Sequence, residues 1–165
     1  MGERDSTPRI SAHRLPMSML AAPRILPSAM ASRSCVGARV DATLSGDEKD
    51  IKLWWDGRAL DRVLSSIRSI RSRFTQVTEV SWTRSGEWIR VLSNTDTQAT
   101  YVTSETWTFV GAIDQKCSNG SQMRRRYVES YPSQQYTLEL RDGAYHIVEW
   151  QLGHSTTNDI GTFCP

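Results

Sequence analysis

The stretch GRALDRVLSSIRSIRSRF, residues 57–74, decides the fold. Within it Leu60, Val63, Leu64, Ile67, Ile70 and Phe74 recur at i, i+3, i+4 and i+7, which predicts a helix with one buried stripe. The opposite face carries Arg58, Asp61, Arg62, Arg68, Arg71 and Arg73, the pattern of a solvated surface. Directly after Phe74 the period changes from helical to alternating, and β-branched and aromatic residues dominate. Helices first and sheet afterwards is an α+β plan.

Upstream, Asp56-Gly57 punctuates the start of that helix. Asp47 is placed to cap a shorter one carrying Ile51, Trp54 and Trp55. Val36, Val40 and Leu44, with Ala38 and Ala42 between them, predict a further short helix ending at Ser45-Gly46. Residues 1–34 hold no sustained period and are rich in proline, serine and arginine, so they are expected to be a disordered basic tail. From Ser6 to Val40 there are five arginines and no acidic residue, a bias that transit peptides share with such tails.

Downstream, strands are expected at 77–83, 88–93, 98–112, 126–141 and 144–152, with hairpin turns at Ser85-Gly86 and Asp142-Gly143. Pro132 removes a ladder donor and predicts a bulge or bend. Two of the strands are long. Long neighbours must twist and coil, so a curved antiparallel sheet should wrap the short N-terminal helices and leave a cone-shaped space at one end. The domain is expected to span residues 35–153, with 154–165 a C-terminal tail.

Several classes of function are disfavoured. A formal charge of +2 is too mild for phosphate-backbone recognition, so no nucleic acid is expected as a partner. No run approaches the roughly 20 apolar residues of a membrane span. The best stretch, 15–30, is broken by Pro16, Pro23, Arg24 and Pro27. Cys35, Cys117 and Cys164 lack CxxC spacing and a histidine cluster, so neither a metal nor another cofactor is expected. Cys117 and Cys164 could close a disulfide over the tail or remain two thiols. The run Arg124-Arg125-Arg126 reads as a solvated loop edge, and Asn119-Gly120-Ser121 matches the glycosylation acceptor pattern.

Three strings carry a family likeness. They are Ser45-Gly46-Asp47 with Trp54-Trp55-Asp56-Gly57-Arg58-Ala59-Leu60, then YVTSETW at 101–107, then YTLELRDGAYHIVEW at 136–150. Together they resemble small domains of the nuclear-transport-factor-2-like superfamily, and most of all the intermembrane-space domain of plastid and cyanobacterial division proteins. The resemblance covers residues 36–152. It implies a sheet wrapped around helices, often dimeric, with a pocket that some relatives use for isomerisation, dehydration or hydrolysis. The division-protein branch instead grips a partner, and its setting is organellar or extracytoplasmic. One departure is a first helix shorter than the family's.

Alternation puts Ala99, Tyr101, Thr103, Glu105, Trp107 and Phe109 on one inward face of the third strand. Glu105, flanked by aromatics, would have its pKa raised by desolvation, as suits a general base. On the last strand His146, Val148, Trp150 and Leu152 share a face, which makes Glu105 and His146 the candidate catalytic pair. The wider binding set is Tyr101, Glu105, Trp107, Tyr136, His146 and Trp150. A carboxylate held by structural donors is the commoner outcome. No phosphate loop, nucleophile elbow or ligand spacing accompanies the pair. The leading expectation is therefore a protein-binding or self-associating module. A small-molecule carrier and a pocket isomerase or lyase follow as alternatives.

Overall fold

The computed structural model describes residues 33–84 and 90–165. Helix α1 (Arg33–Ser45) begins two residues inside the expected tail. It stops where Gly46 takes φ +82 and its N–H closes on the Ala42 carbonyl at 2.9 Å. Asp47 accepts the Lys49 N–H at 3.1 Å, just ahead of a single 3-10 turn, Asp50–Leu53. Asp56 then caps α2 (Gly57–Arg71) by accepting the Gly57 N–H. The buried stripe of α2 is Ala59, Val63, Leu64, Ile67 and Ile70, with Leu60 only partly covered.

Two arginines from the face read as solvated do structural work. Arg71 donates at 2.8 Å to each of the Thr43 and Leu44 carbonyls, satisfying the end of α1. Arg62 reaches the Trp150 carbonyl and ties α2 to the sheet.

The sheet is antiparallel: β1 (Gln76–Arg84), β2 (Arg90–Asn94), β3 (Gln98–Lys116), β4 (Gln122–Arg141), β5 (Ala144–Leu152) and β6 (Thr156–Phe163). The long strands β3 and β4 form its spine. β1 and β2 share the outer edge of β3, and β5 and β6 share the outer edge of β4. On β4, Arg124–Ser130 pairs with β6 and Gln134–Arg141 with β5. The handover falls on Pro132-Ser133, where the β3–β4 register also slips, Thr103 facing Gln134 and Glu105 facing Tyr131. The irregularity expected from Pro132 is there, and its use is to change neighbours. Gly153 closes over it, its N–H on the Ser133 carbonyl at 2.9 Å. A Cβ at Gly153 would lie 2.5 Å from that oxygen, so the crossing requires glycine.

At Asp142-Gly143 both residues have positive φ, 51 and 80, the geometry of a two-residue hairpin turn. The turn expected at Ser85-Gly86 lies outside the described residues, as does the tail before Arg33. The segment after 153 departs from expectation: residues 156–163 are strand β6, and a Cys117–Cys164 disulfide with Cα atoms 5.9 Å apart fastens its end. Trp54 to Asp56 covers the free edge of β5 through two backbone bonds to Ile147, at 2.8 and 2.9 Å.

Between helices and sheet lie two clusters. One joins Ile51, Trp55, Val63 and Ile67 to Tyr101, Tyr136, Leu138, Ile147 and Trp150. The other joins Ile70 and Phe74 to Trp107, Phe109, Tyr127 and Tyr131. No helix among the described residues is long and apolar enough to cross a membrane.

Trp107→Ala and Leu64→Ala should cost about 3–5 and about 2–5 kcal/mol in denaturant unfolding, since each opens a cavity between the layers. Arg68→Ala, which loses only an exposed pair with Glu48, should leave the midpoint nearly unchanged. Cys164→Ser should lower stability by up to about 4 kcal/mol, because the bridge closes a loop across a separation of 47 residues. An unchanged midpoint for that variant would mean the bridge does not constrain the chain.

Candidate functional site

The inner face of β3 is as alternation predicts. Ala99, Tyr101, Thr103, Glu105, Trp107 and Phe109 are all buried. Glu105, 3% exposed, sits next to Ser104, which stands opposite the Pro132-Ser133 bulge of β4. Its Oε1 accepts from Thr103 Oγ1 at 2.9 Å and from Arg84 Nη2 at 3.4 Å. Its Oε2 accepts from Trp107 Nε1 at 3.1 Å and Tyr136 O–H at 3.2 Å. The carboxylate thus joins β1, β3 and β4.

Burial pushes this carboxyl up, the effect on which a general-base role rests. The Trp82 indole, the Arg84 guanidinium, the Trp107 N–H and the Thr103 hydroxyl together outweigh it and hold the pKa below the ordinary 4.5. Trp82 acts through proximity, since its Nε1 closes no hydrogen bond of good geometry among the described residues. The expectation of a raised pKa is therefore corrected: surrounding donors favour the anion more than desolvation disfavours it.

His146 does not join Glu105. Thr137 faces Glu149 while Leu138 faces Ile147, so Val148 is the extra residue of a bulge. That shift turns Ile147 and Trp150 inward and leaves His146, cross-strand from Glu139, on the outer face. Strict alternation, which put His146 inward, fails at this one residue.

The pocket beside Glu105 is walled by Tyr101, Trp107 and Tyr136 from the expected set, by Ile147, and by groups that sequence reasoning passed over: Cys35, Val36, Arg39, Trp55 and Arg84. Trp150 lies behind this wall, its ring stacked on Tyr136 with centroids 6.3 Å apart and its N–H on Gln134 Oε1 at 2.8 Å. Arg39 is 2% exposed, with its guanidinium carbon 4.1 Å from the Trp107 ring centroid and 5.0 Å from that of Trp150. Such desolvated cation–π contacts are worth about 2 kcal/mol. Its position was readable, because Cys35, Arg39 and Ala42 fall on one stripe of α1.

The space left is small, about 20 Å³ open to the centre of a water-sized sphere, which is enough for one water or an atom of similar size. The thiol and the two tyrosine hydroxyls on the wall stay neutral at physiological pH. Burial pushes the Cys35 thiol up to about 11 and drives the Tyr101 and Tyr136 hydroxyls well above their usual range.

No family model matches the chain, and no curated protein matches it in sequence. Solved structures are similar to it at low identity. Hexachlorocyclohexane dehydrochlorinase LinA-type3 from Novosphingobium barchaimii LL02 is 12% identical, with 84% of this chain and 94% of that one covered at a TM-score of 0.46. The intermembrane space region of chloroplast protein ARC6 is 14% identical, with 75% and 95% covered at 0.43. A type 2 LinA dehydrochlorinase is 12% identical, with 84% and 93% covered at 0.45. The intermembrane-space domain named by the sequence resemblance is among these structures.

The depressed carboxyl fixes a pH dependence. With its folded pKa below the unfolded value near 4.5, Glu105 contributes stability above about pH 4.5 and loses it as pH falls through the folded value. Between pH 6 and pH 3 the unfolding free energy of Glu105→Gln should start lower and fall less steeply than that of the unaltered protein. Parallel curves would show that the carboxylate is not held by its donors.

Proposed function

We propose that this domain is a non-catalytic binding module that acts through protein contacts, self-association among them, in an oxidising compartment. The observation that carries the reading is the state of Glu105. It is the one carboxylate on the pocket wall among the described residues, it is engaged on both oxygens, and its expected histidine partner is on the other face of the sheet. A general base needs a free lone pair within reach of substrate, and a pocket with room for about one water offers neither. What remains for interaction is the outer face of the sheet.

That face is built from Thr100, Val102, Ser104, Thr106 and Thr108 of β3, flanked by Ser81 and Thr83 of β1 and by Val128 and Ser130 of β4. The β3 row is half-buried, and Thr100 and Thr137 pair their hydroxyls at 3.2 Å across the strands. The β3 row itself carries no charged residue, and its mild apolarity suits a moderately wet protein contact, in which interface cores are depleted of charge. The disulfide supports an oxidising setting, since such bridges persist outside reducing compartments. The strings at 45–60, 101–107 and 136–150 favour the division-protein branch of the resemblance over the enzymes.

Val102→Lys, placing a charge in the middle of that face, should abolish association in analytical ultracentrifugation while circular dichroism and thermal midpoint stay close to the parent. The proposal would fall if that variant associated normally while Glu105→Gln, assayed where it remains folded, abolished biological activity.

A further inference from the structure

The buried polar atoms that lack a partner around the pocket have one chemistry in common. Arg39 Nη1 and Trp55 Nε1 are sealed from solvent and meet no hydrogen-bond acceptor among the described residues, and both side chains line the pocket. Gln134 Nε2, in the same core, is likewise a donor without an acceptor among the described residues. A buried N–H left unmet costs about 1–3 kcal/mol, and more on a charged group. Such a deficit concentrated on donors indicates that an acceptor belongs there.

Charge points the same way. The wall carries two guanidinium groups, Arg39 and Arg84, against the single carboxylate of Glu105. Glu105 is paired with Arg84. Glu129, the other buried carboxylate, is engaged by the Tyr131 hydroxyl. Arg39 has two tryptophan faces, the neutral Ser66 hydroxyl at 3.3 Å and the Tyr131 hydroxyl beside it, and no carboxylate among the described residues forms an ion pair with it. The neutral thiol of Cys35 and hydroxyl of Tyr101 add no competing negative charge.

We propose that this pocket is a binding site for one monatomic monovalent anion, a halide, held by Arg39 Nη1 and Trp55 Nε1. Size selects the class: a space that admits about one water excludes formate, sulfate and larger organic acids. The anion completes the pairing of Arg39 and braces α1 against Trp55 and the sheet. It would act as a resident stabiliser of the binding module.

The test measures the thermal midpoint of the whole chain at fixed ionic strength in sodium chloride, bromide, formate and gluconate. A saturable rise in chloride and bromide, and none in formate or gluconate, is expected, as follows for a ligand that binds only the folded state. A rise in formate matching that in the halides would overturn the size selection. Trp55→Phe keeps the ring and drops the N–H, and should weaken chloride by about tenfold with the gluconate midpoint little changed. Crystals of the unaltered protein soaked in bromide should show anomalous density within about 3.5 Å of Arg39 Nη1. Equal midpoints in all four salts would overturn the proposal, as would a bromide crystal with only water at that nitrogen. Neither readout depends on association, so this site can fail while the binding-module reading stands.

Discussion

The Glu105 carboxylate gathers an arginine from β1, a threonine and a tryptophan from its own strand, and a tyrosine from β4. A charge this buried is tolerable only when donors replace its water. Here the carboxylate lies beside the point where the Pro132-Ser133 bulge of β4 faces Ser104. The same irregularity lets β4 exchange one neighbour for another. Electrostatics and topology therefore share a position: losing the bulge would both strip the carboxylate and deprive β5 and β6 of their separate tracks.

Above this layer lies a second charge, Arg39, clasped between Trp107 and Trp150. Trp107 serves both charges, giving its N–H to Glu105 and its ring face to Arg39. A single side chain thus joins the sheet's anion to the helix's cation without direct contact between them. This arrangement fills most of the interior between helix and sheet.

How much of this was legible depended on periodicity. The stripe of α2, the inner row of β3 and the Asp142-Gly143 turn were all readable, because each rests on local spacing or local φ. Strand β6 was not. Thr156 to Phe163 lies at a sheet edge with almost every residue exposed, so no alternating burial marks it, and it is kept by ladder bonds and the disulfide. His146 was misplaced because one extra residue at Val148 reverses the faces. Arg39 was passed over because an arginine amid small residues reads as solvated until two distant tryptophans are brought beside it.

The Cys117–Cys164 bridge gives the far half of the sheet the topology of a closed ring, running from the β3–β4 turn through β4, β5 and β6 and back to its start. Inside a ring no peptide bond is essential to connectivity. A single protease cut at the exposed Asp142-Gly143 turn would leave both pieces covalently joined, their strands still paired. Chain scission there would stay hidden until a reductant parted the fragments. The ring of β4, β5 and β6, whose Tyr136, Leu138, Ile147 and Trp150 pack against the helices, is thereby made tolerant of a single cut.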